Sequence, residues 1–461
     1  MNTQPIHIPK HSLANQAPRQ RFKRNGKLRR HRLQEARARR EQANEVPSDR
    51  RRLRDLLRGA TTSQVILFLY LFLDIFKLGT SYDSMLTIGL LGIYAVSVLA
   101  LEIIPNEVGK RRRVFTSMSI WIVAFWGFAL LSLVWSPVSL DGTYAYRALQ
   151  AIIVIPSVAF AINSRDDLYR YLAIFMLAAI CMTIAQFAVT SPSQWFSGRL
   201  GDTNSNNHNT VGIYAALGCF VSFFLYMSKI SRWHLIFIIP MAYLAMATGS
   251  RKAFFILIAL LAVYAVISTR GAKGLVAVAL VLAAIVLVFI FIMTNDVVYQ
   301  VLGARVEHFI DSLQTGTSDE HSISQRAWYR QYAMQMFTWH PLIGNGLNSF
   351  ENQMVLINYS HVAYSHCNYT ELLCCFGIVG FLLYYWPYAV ILGCVVSGRA
   401  SLHNPLIAFA TTTIIALLIC DYGQVAFVMT YAPFFVCLAW CAFRIGIAEG
   451  KRDGDSVKAT S

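Results

Sequence analysis

Long apolar runs separated by short polar connections occupy most of the chain from Thr62 onward. The runs are 15 to 26 residues long, and a straight helix needs about 20 apolar residues to cross the hydrocarbon core of a bilayer. The pattern therefore predicts an all-α integral membrane protein with about twelve transmembrane helices. The predicted spans are residues 62–80, 84–104, 114–136, 148–163, 171–190, 211–228, 234–248, 253–269, 275–293, 371–396, 405–420 and 427–446.

The composition supports this prediction and excludes several classes of protein. Hydrophobic residues make up 56% of the 461 residues, charged residues only 14%, and the mean hydropathy is +0.47. An ordinary soluble domain has about 25% charged residues. So much apolar surface cannot be hidden in one soluble core, which argues against a cytosolic enzyme, a disulfide-rich secreted protein and a disordered chain.

The positive charge is concentrated before the first apolar run. Residues 1–59 contain 17 Lys and Arg against 5 Asp and Glu, a net charge of +12 out of +16 for the whole chain. We expect residues 1–60 to form a basic cytoplasmic tail without stable structure, lying against anionic lipid headgroups. Nucleic-acid binding is the rival interpretation of this tail, but no folded nucleic-acid-binding module accompanies it.

The remaining charges predict the orientation of the spans. The five predicted inside connections contain 11 Lys and Arg, whereas the much longer outside connections contain 7. Because cytoplasmic loops of membrane proteins are enriched in Lys and Arg, both termini are expected in the cytoplasm, including a short tail at 447–461. The seven predicted outside cations are Arg147, Arg199, Arg251, Lys252, Arg305, Arg326 and Arg330.

One predicted outside loop is far longer than the others. Residues 294–370 number 77 and separate a bundle of nine spans (61–293) from three final spans (371–446). Two amphipathic stretches, 297–313 and 322–338, lie in this loop. We expect the loop to contain short helices that cover the outer side of the bundle, partly resting on its rim.

Several arginines lie at predicted outer boundaries, against the general charge bias. Arg199 follows the fifth span, Arg251 lies in a tight connection, and Arg326 and Arg330 share one face of the 322–338 stretch. A guanidinium group donates to two oxygens at once and stays protonated, so this pattern favours binding of a phosphate or diphosphate. The alternative is that each arginine simply extends to lipid headgroups.

His366 immediately precedes the tenth predicted span and is a candidate proton acceptor. Histidine is the side chain best suited to exchange a proton near neutral pH. With the arginines holding a diphosphate leaving group, His366 could accept the proton of a sugar hydroxyl. A histidine that is merely hydrogen-bonded is the alternative. Glu371 is a candidate orienting residue or alternative base, and His361 is a weaker candidate.

Other catalytic or metal-binding motifs are missing from the sequence. It contains no GxxxxGK[ST] phosphate loop, no HExxH and no GxSxG. Asp453 and Asp455 form the only Asp-x-Asp pair and lie in the hydrophilic C-terminal tail. Eight of the nine cysteines lie within apolar runs, which predicts neither disulfides nor zinc sites. Asp74 and Lys77, three residues apart in the first span, are expected to pair, with a proton relay as the alternative.

The segment around His366 resembles the bacterial O-antigen ligase and Wzy-type polysaccharide polymerase family. In that family a His followed by Asn, Ser or Gln precedes nine residues and a Gly-x-x-Gly motif. This chain has His366 and Cys367, then nine residues, then Gly377 and Gly380. Cys367 departs from the family pattern, and Asn368 follows it.

Further motifs of the same family occur upstream in the same order. Arg326 and Trp328, followed by Pro-Leu-Ile-Gly-Asn-Gly at 341–346, resemble the Arg…Trp…Pro-Leu-x-Gly-x-Gly run of its large periplasmic loop. Ser250-Arg251 resembles a Ser-Arg pair at the end of a span, and Arg199 with Asn209 resembles an earlier Arg…Asn loop. The resemblance extends from about residue 195 to residue 385 and leaves out the basic tail.

The resemblance implies a GT-C-like glycosyltransferase of the bacterial inner membrane that needs no metal ion or other cofactor. Its substrate would be an oligosaccharide linked to undecaprenyl diphosphate, and the sugar would be transferred with inversion on the outer leaflet. The implied catalytic residues are His366, Arg326 and Arg251. The implied binding residues for the diphosphate or the glycan are Arg199, Arg330, Asn209, Glu371 and Asn368.

Within the family, the sequence of residues 368–385 favours a polymerase of capsule, exopolysaccharide or O-antigen repeat units. A ligase that transfers the glycan to an acceptor and a protein oligosaccharyltransferase are the alternatives. Membrane lipids and a chain-length regulator are expected partners, and nucleic acid is not. Two classes without catalytic activity also stay open: a polysaccharide flippase, and a scaffold that recruits assembly proteins through the basic tail.

Overall fold

The computed structural model describes much of the chain, and every regular element in that part is helical. The described residues are 53–76, 83–103, 116–195, 200–201, 207–268, 321–357 and 363–460, with single positions between 276 and 307. In chain order the α-helices are α1 (Leu53–Arg58), α2 (Thr62–Ile75), α3 (Asp83–Val98), α4 (Ser117–Leu131), α5 (Gly142–Ala161), α6 (Arg165–Val189), α7 (His208–Met227), α8 (Ile238–Ala247), α9 (Arg251–Ser268), α10 (His321–Phe337), α11 (Ser349–Ile357), α12 (Asn368–Val396), α13 (Pro405–Asp421) and α14 (Tyr431–Thr460).

The apolar helices make this an integral membrane protein. Seven described helices are long and apolar enough to cross a bilayer. They are Asp83–Ile103, Ser117–Val134, Gly142–Ala161, Arg165–Val189, His208–Met227, Asn368–Val396 and Tyr431–Lys451. Four shorter apolar helices are Thr62–Ile75, Trp233–Ala247, Lys252–Ser268 and Pro405–Asp421. The prediction of an all-helical membrane protein is confirmed. The count of twelve spans stays a prediction, and the predicted ninth span, 275–293, falls largely outside the described residues.

Several helices begin before the apolar run that predicted them, because a polar residue caps the first turn. Asp141 caps α5 through a hydrogen bond from Thr143 N to its Oδ2 (3.1 Å). Ser164 forms a capping box with Asp167 at the start of α6. Arg147, expected in an outside loop, therefore lies in the second turn of α5. The fourth predicted span began at residue 148 because the apolar pattern does not include the capped polar turn.

The centre of the bundle contains tightly packed aromatic and small residues. Phe220 of α7 stacks on Phe409 of α13, with ring centroids 5.5 Å apart and planes 2° apart. A Cβ atom at Gly218 would lie 2.7 Å from Ala179 Cβ, so α6 and α7 approach closely. Apolar side chains on the outer surface, such as Met85 (70% exposed) and Val396 (88%), are available to lipid. Since lipid tails are as apolar as leucine, such close packing is a main source of helix association in a membrane.

A buried polar network near the N-terminal end of α5 ties α2, α5 and α14 together. Asp74 accepts a hydrogen bond from Thr430 Oγ1 (2.6 Å) and forms an ion pair with Arg147 (3.4 Å). Arg147 also donates to Gln150 Oε1 (2.8 Å). Asp74 was expected to pair with Lys77, which lies outside the described residues. Its observed partner is Arg147, which lies inside α5 and not in a loop, because α5 begins at Gly142.

The last residues of the predicted basic tail form helix α1. Leu53 (1% exposed) and Leu56 (6%) are buried, and Arg170 of α6 donates through Nε to the Leu56 carbonyl (3.1 Å). Two leucines on one face give this short segment enough apolar contact to dock, so residues 53–58 differ from the tail expected for 1–60. Residues 1–52 lie outside the described part of the chain.

Candidate active site

Helix α12 is interrupted at Gly377, where φ is 62° and ψ is −164°. The interruption leaves helix carbonyl and amide groups without their usual partners in the helix. The loop 341–346 satisfies them and thereby docks onto α12. Four backbone hydrogen bonds form this joint: Asn345 N to Cys374 O (3.0 Å), Gly346 N to Cys375 O (2.8 Å), Ile378 N to Pro341 O (2.9 Å) and Val379 N to Leu342 O (3.1 Å).

Glycine is required at the two closest points of this joint. A Cβ atom at Gly344 would lie 2.3 Å from the Cys375 backbone, and one at Gly377 would lie 2.4 Å from the Leu342 carbonyl oxygen. Both glycines also have positive φ, 73° and 62°, which disfavours other residues. The loop motif and the glycine of the helix motif therefore build one structural unit, which fixes the capping loop to a membrane helix.

His366 lies in a short turn just before α12, held by two buried side chains. Ser365 N donates to Glu371 Oε2 (2.8 Å), and Ser365 Oγ donates to the Cys367 carbonyl (2.9 Å). Glu371 is 1% exposed. His366 itself has a φ of 58°, a backbone conformation that costs a non-glycine residue about 1–3 kcal/mol. The turn thus holds the histidine in a conformation that an isolated chain would avoid.

Two tyrosines pack against the imidazole ring of His366. Its centroid lies 4.2 Å from that of Tyr364 and 6.0 Å from that of Tyr329 in α10. His366 Nδ1 is buried and has no hydrogen-bond partner among the described residues. A buried polar nitrogen without a partner is costly and therefore indicates a position that a ligand group can occupy.

Three cations from two helices act on His366. Arg326 and Arg330 lie four residues apart on α10, and Lys252 lies in the first turn of α9. The Arg330 guanidinium lies over the Tyr422 ring, 5.2 Å from its centroid. The Lys252 stem reaches the neighbouring Gly423, where a Cβ atom would lie 3.4 Å from Lys252 Cε. The α13–α14 connection therefore brings the α9 and α10 cations to one region.

This environment keeps His366 uncharged. Burial, followed by the charges of Arg326, Lys252 and Arg330, lowers the pKa of His366 from 6.5 to about 3. Both causes have the same sign, because a low-polarity surrounding and nearby cations each disfavour a protonated imidazole. At neutral pH the ring can therefore accept a hydrogen bond or a proton while the three cations around it attract an anion.

Asn368 holds the start of α12 to the α13–α14 connection. Its Oδ1 accepts hydrogen bonds from the Ala426 and Phe427 amides (2.8 and 3.0 Å). Its Nδ2 donates to Tyr385 Oη (2.9 Å) and Asp421 Oδ2 (3.3 Å). With the side chain fully buried and both amide ends occupied by protein groups, the structure favours a positioning role for Asn368 over substrate contact.

Comparison with known families gives an independent result. Residues 236–385 match the family model described as O-antigen ligase. Over these residues the chain is similar to the O-antigen ligase family. This match confirms the resemblance inferred from the sequence motifs, and it covers about a third of the chain. No curated protein matches the chain.

The matched residues include His366 and the three cations that act on it, together with the joint between α12 and the loop 341–346. Tyr422 and Asp421 lie beyond the matched residues. The charged part of the site therefore lies within the region of family similarity, whereas the α13–α14 connection that packs against it lies outside that region.

The structure brings some predicted site residues together and leaves others apart. Arg326, Arg330 and Glu371 lie around the His366 turn, as described above. Asn209 lies in the first turn of α7, where its backbone amide donates to Asn207 Oδ1 (2.9 Å), and no described contact joins it to His366. Arg199 lies outside the described residues.

Arg251 begins α9, and its side chain lies outside the described part of the chain. The backbone around it is informative, because Leu200 N donates to the Ala247 carbonyl (3.0 Å). The residue that follows Arg199 is thereby bonded to the end of α8, four residues before Arg251. These two predicted arginine segments are neighbours in the fold.

Sequence reasoning missed several residues of this site. Lys252 was recognised only as an outside cation, although it follows Arg251 directly. Tyr329 lies three residues after Arg326 on α10 and Tyr364 two residues before His366, spacings that could have indicated a shared site. Tyr422 carried no usable signal, because only the folded chain brings it under Arg330. Among the described residues, no group of three or more His, Cys, Asp and Glu side chains is arranged to hold a metal ion.

Proposed function

We propose that the protein is a membrane glycosyltransferase that polymerises oligosaccharide repeat units carried on undecaprenyl diphosphate. It would do so on the outer face of the cytoplasmic membrane and produce a surface polysaccharide. The family match supports a role in polysaccharide assembly at a membrane. The apolar helices support the use of a substrate that is itself anchored in the bilayer.

One observation carries the proposal: an uncharged histidine, whose buried Nδ1 has no partner among the described residues, lies among three cations. A diphosphate needs several positive groups, and an attacking hydroxyl needs a neutral acceptor for its proton. These two requirements conflict within one site, because cations weaken a nearby base. Here they are met together by a ring that stays neutral next to Arg326, Arg330 and Lys252.

In the proposed reaction, Arg326, Arg330 and Lys252 hold the diphosphate of the donor. An acceptor hydroxyl approaches His366 Nδ1 and gives it a proton as the hydroxyl oxygen bonds to the anomeric carbon of the donor sugar. The bond between that carbon and the diphosphate oxygen breaks, and the lipid diphosphate leaves with the electron pair. Attack opposite the leaving group inverts the anomeric configuration.

The donor also changes the basicity of His366. A bound diphosphate brings negative charge next to the three cations, so their effect in lowering the pKa of His366 becomes smaller. The imidazole then becomes a stronger base when the donor is in place. Before donor binding it stays neutral and a weak base. Arg251 and Arg199, whose segments are neighbours, would extend the cationic surface toward the donor.

The preference for a polymerase over a ligase rests only on the resemblance of the 368–385 sequence to capsule and exopolysaccharide polymerases, since the family match includes no distinction between the two. The proposal is tested in a strain of the source organism that lacks the gene. Surface polysaccharide and lipid-linked intermediates from this strain are separated by size. Accumulation of single lipid-linked repeats, reversed by the wild-type gene, is expected. Long polymer that stays on the lipid carrier would identify a ligase, and unchanged attached polymer would refute the transferase.

A further inference from the structure

A cavity opens at the end of α10 that is farther from Arg326. It has a volume of about 310 Å³ and lies between the end of α10, α11, the loop 341–346 and the residues just after α4. Two tryptophans and four polar side chains contribute to its lining: Trp135, Trp339, His340, Asn345, Ser349 and Gln353. The cavity thus combines large aromatic surfaces with hydrogen-bonding groups.

The two tryptophans differ in how they are held. Trp135 donates through Nε1 to the Gly344 carbonyl (3.2 Å), so its ring is fixed to the joint between the loop and α12. Trp339 is 45% exposed, although it is a large apolar side chain. The amide of half-buried Gln353 makes no hydrogen bond within the described part of the chain. An exposed ring beside an available amide provides the two types of contact that a sugar ring needs, one to its C–H face and one to its hydroxyls.

The cavity differs in charge from the site around His366. None of its described lining residues is a Lys, Arg, Asp or Glu. Arg330 and Phe337 are two turns apart on α10, about 10 Å along the helix axis. One end of this helix therefore faces the cationic region, whereas the other adjoins an uncharged cavity. A diphosphate is attracted to the first end, and the second suits an uncharged part of the same class of substrate.

A continuous series of aromatic contacts connects the cavity with His366. Each ring packs against the next within the protein, so one aromatic cluster extends from the cavity to His366. The centroid distances are 6.5 Å for Trp339 to Tyr332, 6.5 Å for Tyr332 to Phe350, 6.4 Å for Phe350 to Tyr329 and 6.0 Å for Tyr329 to His366.

We infer that this cavity is a saccharide-binding subsite that holds sugar units of the glycan one or more residues away from the reacting bond. The inference rests on the proposed function and adds to it a place for the sugar chain itself. Trp339 stacks on a sugar ring, and Gln353 bonds to its hydroxyls. Holding the chain there keeps an acceptor end near His366 between successive transfers.

A lipid chain is the rival occupant of a cavity with tryptophan walls. The polar lining favours the saccharide, because an isoprenoid tail would displace water from the His340 and Gln353 side chains without offering them a hydrogen bond. The test must therefore separate binding of sugars from binding of lipid.

Binding is measured by calorimetry with the purified full-length protein and saccharide released from the host polysaccharide by mild acid, which removes the lipid carrier. Trp339→Ala is expected to weaken this binding about 3- to 10-fold, the loss typical of one aromatic stacking contact. Gln353→Ala is expected to weaken it about threefold. Trp233→Ala is the matched control, since Trp233 is 51% exposed and lies in the short segment Trp233–Phe237 before α8, whereas Arg251 follows the other end of α8. Its affinity should equal that of the wild type.

Chain length in the complemented deletion strain gives a second readout. Trp339→Ala should shorten the polymer at least twofold while single lipid-linked repeats stay below their level in the deletion strain. Wild-type affinity and wild-type chain length for Trp339→Ala, at normal protein abundance, would overturn the inference. Weakened binding of undecaprenyl phosphate vesicles with unchanged binding of the saccharide would overturn it in favour of lipid.

Failure of the inference and failure of the proposed function have different signatures. Saccharide binding needs no turnover, so His366→Ala protein should bind the released saccharide like the wild type. If His366→Ala still polymerises, the proposed function fails. The calorimetric comparison of Trp339→Ala with Trp233→Ala still tests whether the cavity binds saccharide.

Discussion

At the scale of single residues, the charge state of His366 is the property most open to experiment. Burial and three nearby cations lower its pKa to about 3. Without bound donor, the ring is therefore neutral at physiological pH. The family motif alone predicts a histidine at this position, whereas its low pKa depends on the folded surroundings.

The pH dependence of the reaction follows from this pKa. In membrane vesicles supplied with subsaturating lipid-linked donor, the wild-type rate should show no histidine titration between pH 5 and 8, since this regime reports the free enzyme. Lys252→Met removes one cation that disfavours the imidazolium, so the pKa of His366 should rise above its wild-type value, while burial and the two arginines still hold it below 6.5. The loss of rate at acid pH should therefore begin at a higher pH in the variant than in the wild type. A wild-type rate that itself falls with a midpoint near 6.5 would contradict this account.

Two substitutions of Glu371 distinguish a residue that positions the His366 turn from a catalytic base. Its carboxylate accepts the Ser365 amide (2.8 Å) and so holds the turn that carries His366. Glu371→Gln keeps an acceptor oxygen and should retain a measurable transfer rate. Glu371→Ala leaves the buried amide unpaired, costs about 1–3 kcal/mol of stability and should abolish activity. Equal inactivation by both changes, with both proteins folded, would identify Glu371 as the base instead.

At the scale of elements, the joint between α12 and the loop 341–346 explains two sequence motifs through packing. Gly377 interrupts α12, and the loop satisfies the polar groups that the interruption exposes. The glycines at 344 and 377 are needed because a Cβ atom there would overlap backbone atoms. This joint connects the loop 341–346 to α12, the membrane helix whose first turn adjoins His366.

Gly377→Ala should therefore disrupt the joint. The methyl group requires both an unfavourable positive φ and a shift of the Leu342 carbonyl, for a destabilisation of about 2–4 kcal/mol. Gly393→Ala is the matched control in the same helix, because a Cβ atom there meets nothing within 4 Å. Thermal unfolding of the two purified variants is the measurement. Equal midpoints would show that the interruption at Gly377 is not needed.

The extent of sequence-based prediction differs between elements. The apolar runs predicted helices such as α7 and α13 because length and hydropathy are local properties. The start of α5 was misplaced because a polar cap and a polar first turn precede its apolar residues. The docking of the loop 341–346 could not be predicted from local pattern, since it depends on two segments about 30 residues apart. Lys252 was missed for the same reason: its relation to His366 exists only in the folded chain.

At the scale of the whole molecule, a helical membrane unit that begins at α1 follows a strongly basic segment, residues 1–52. The family match and the residues around His366 all belong to the membrane unit. The membrane unit itself extends to α1, where Leu53 and Leu56 are buried. If the site around His366 performs the reaction, the basic segment is not needed for chemistry.

Removal of residues 2–52 should leave polymer formation intact, with protein abundance within about twofold of the wild type. Removal of residues 2–58 also deletes α1 and its buried leucines, and should lower the amount of folded protein in the membrane. Surface polysaccharide and protein abundance are measured together in the complemented deletion strain. Complete loss of polymer on deleting 2–52, at normal abundance, would favour a scaffold that acts through its basic tail.

The central claim is tested most directly by the size distribution of surface polysaccharide in a deletion strain complemented with wild type, with His366→Ala or with His403→Ala. His403 is an exposed histidine in the connection between α12 and α13, outside both the charged site and the proposed saccharide subsite, and serves as the comparison for replacing a histidine. With equal amounts of protein in the membrane, His366→Ala should leave only single lipid-linked repeats, as in the deletion strain, and His403→Ala should restore polymer. Normal, fully attached polymer from His366→Ala would contradict the account.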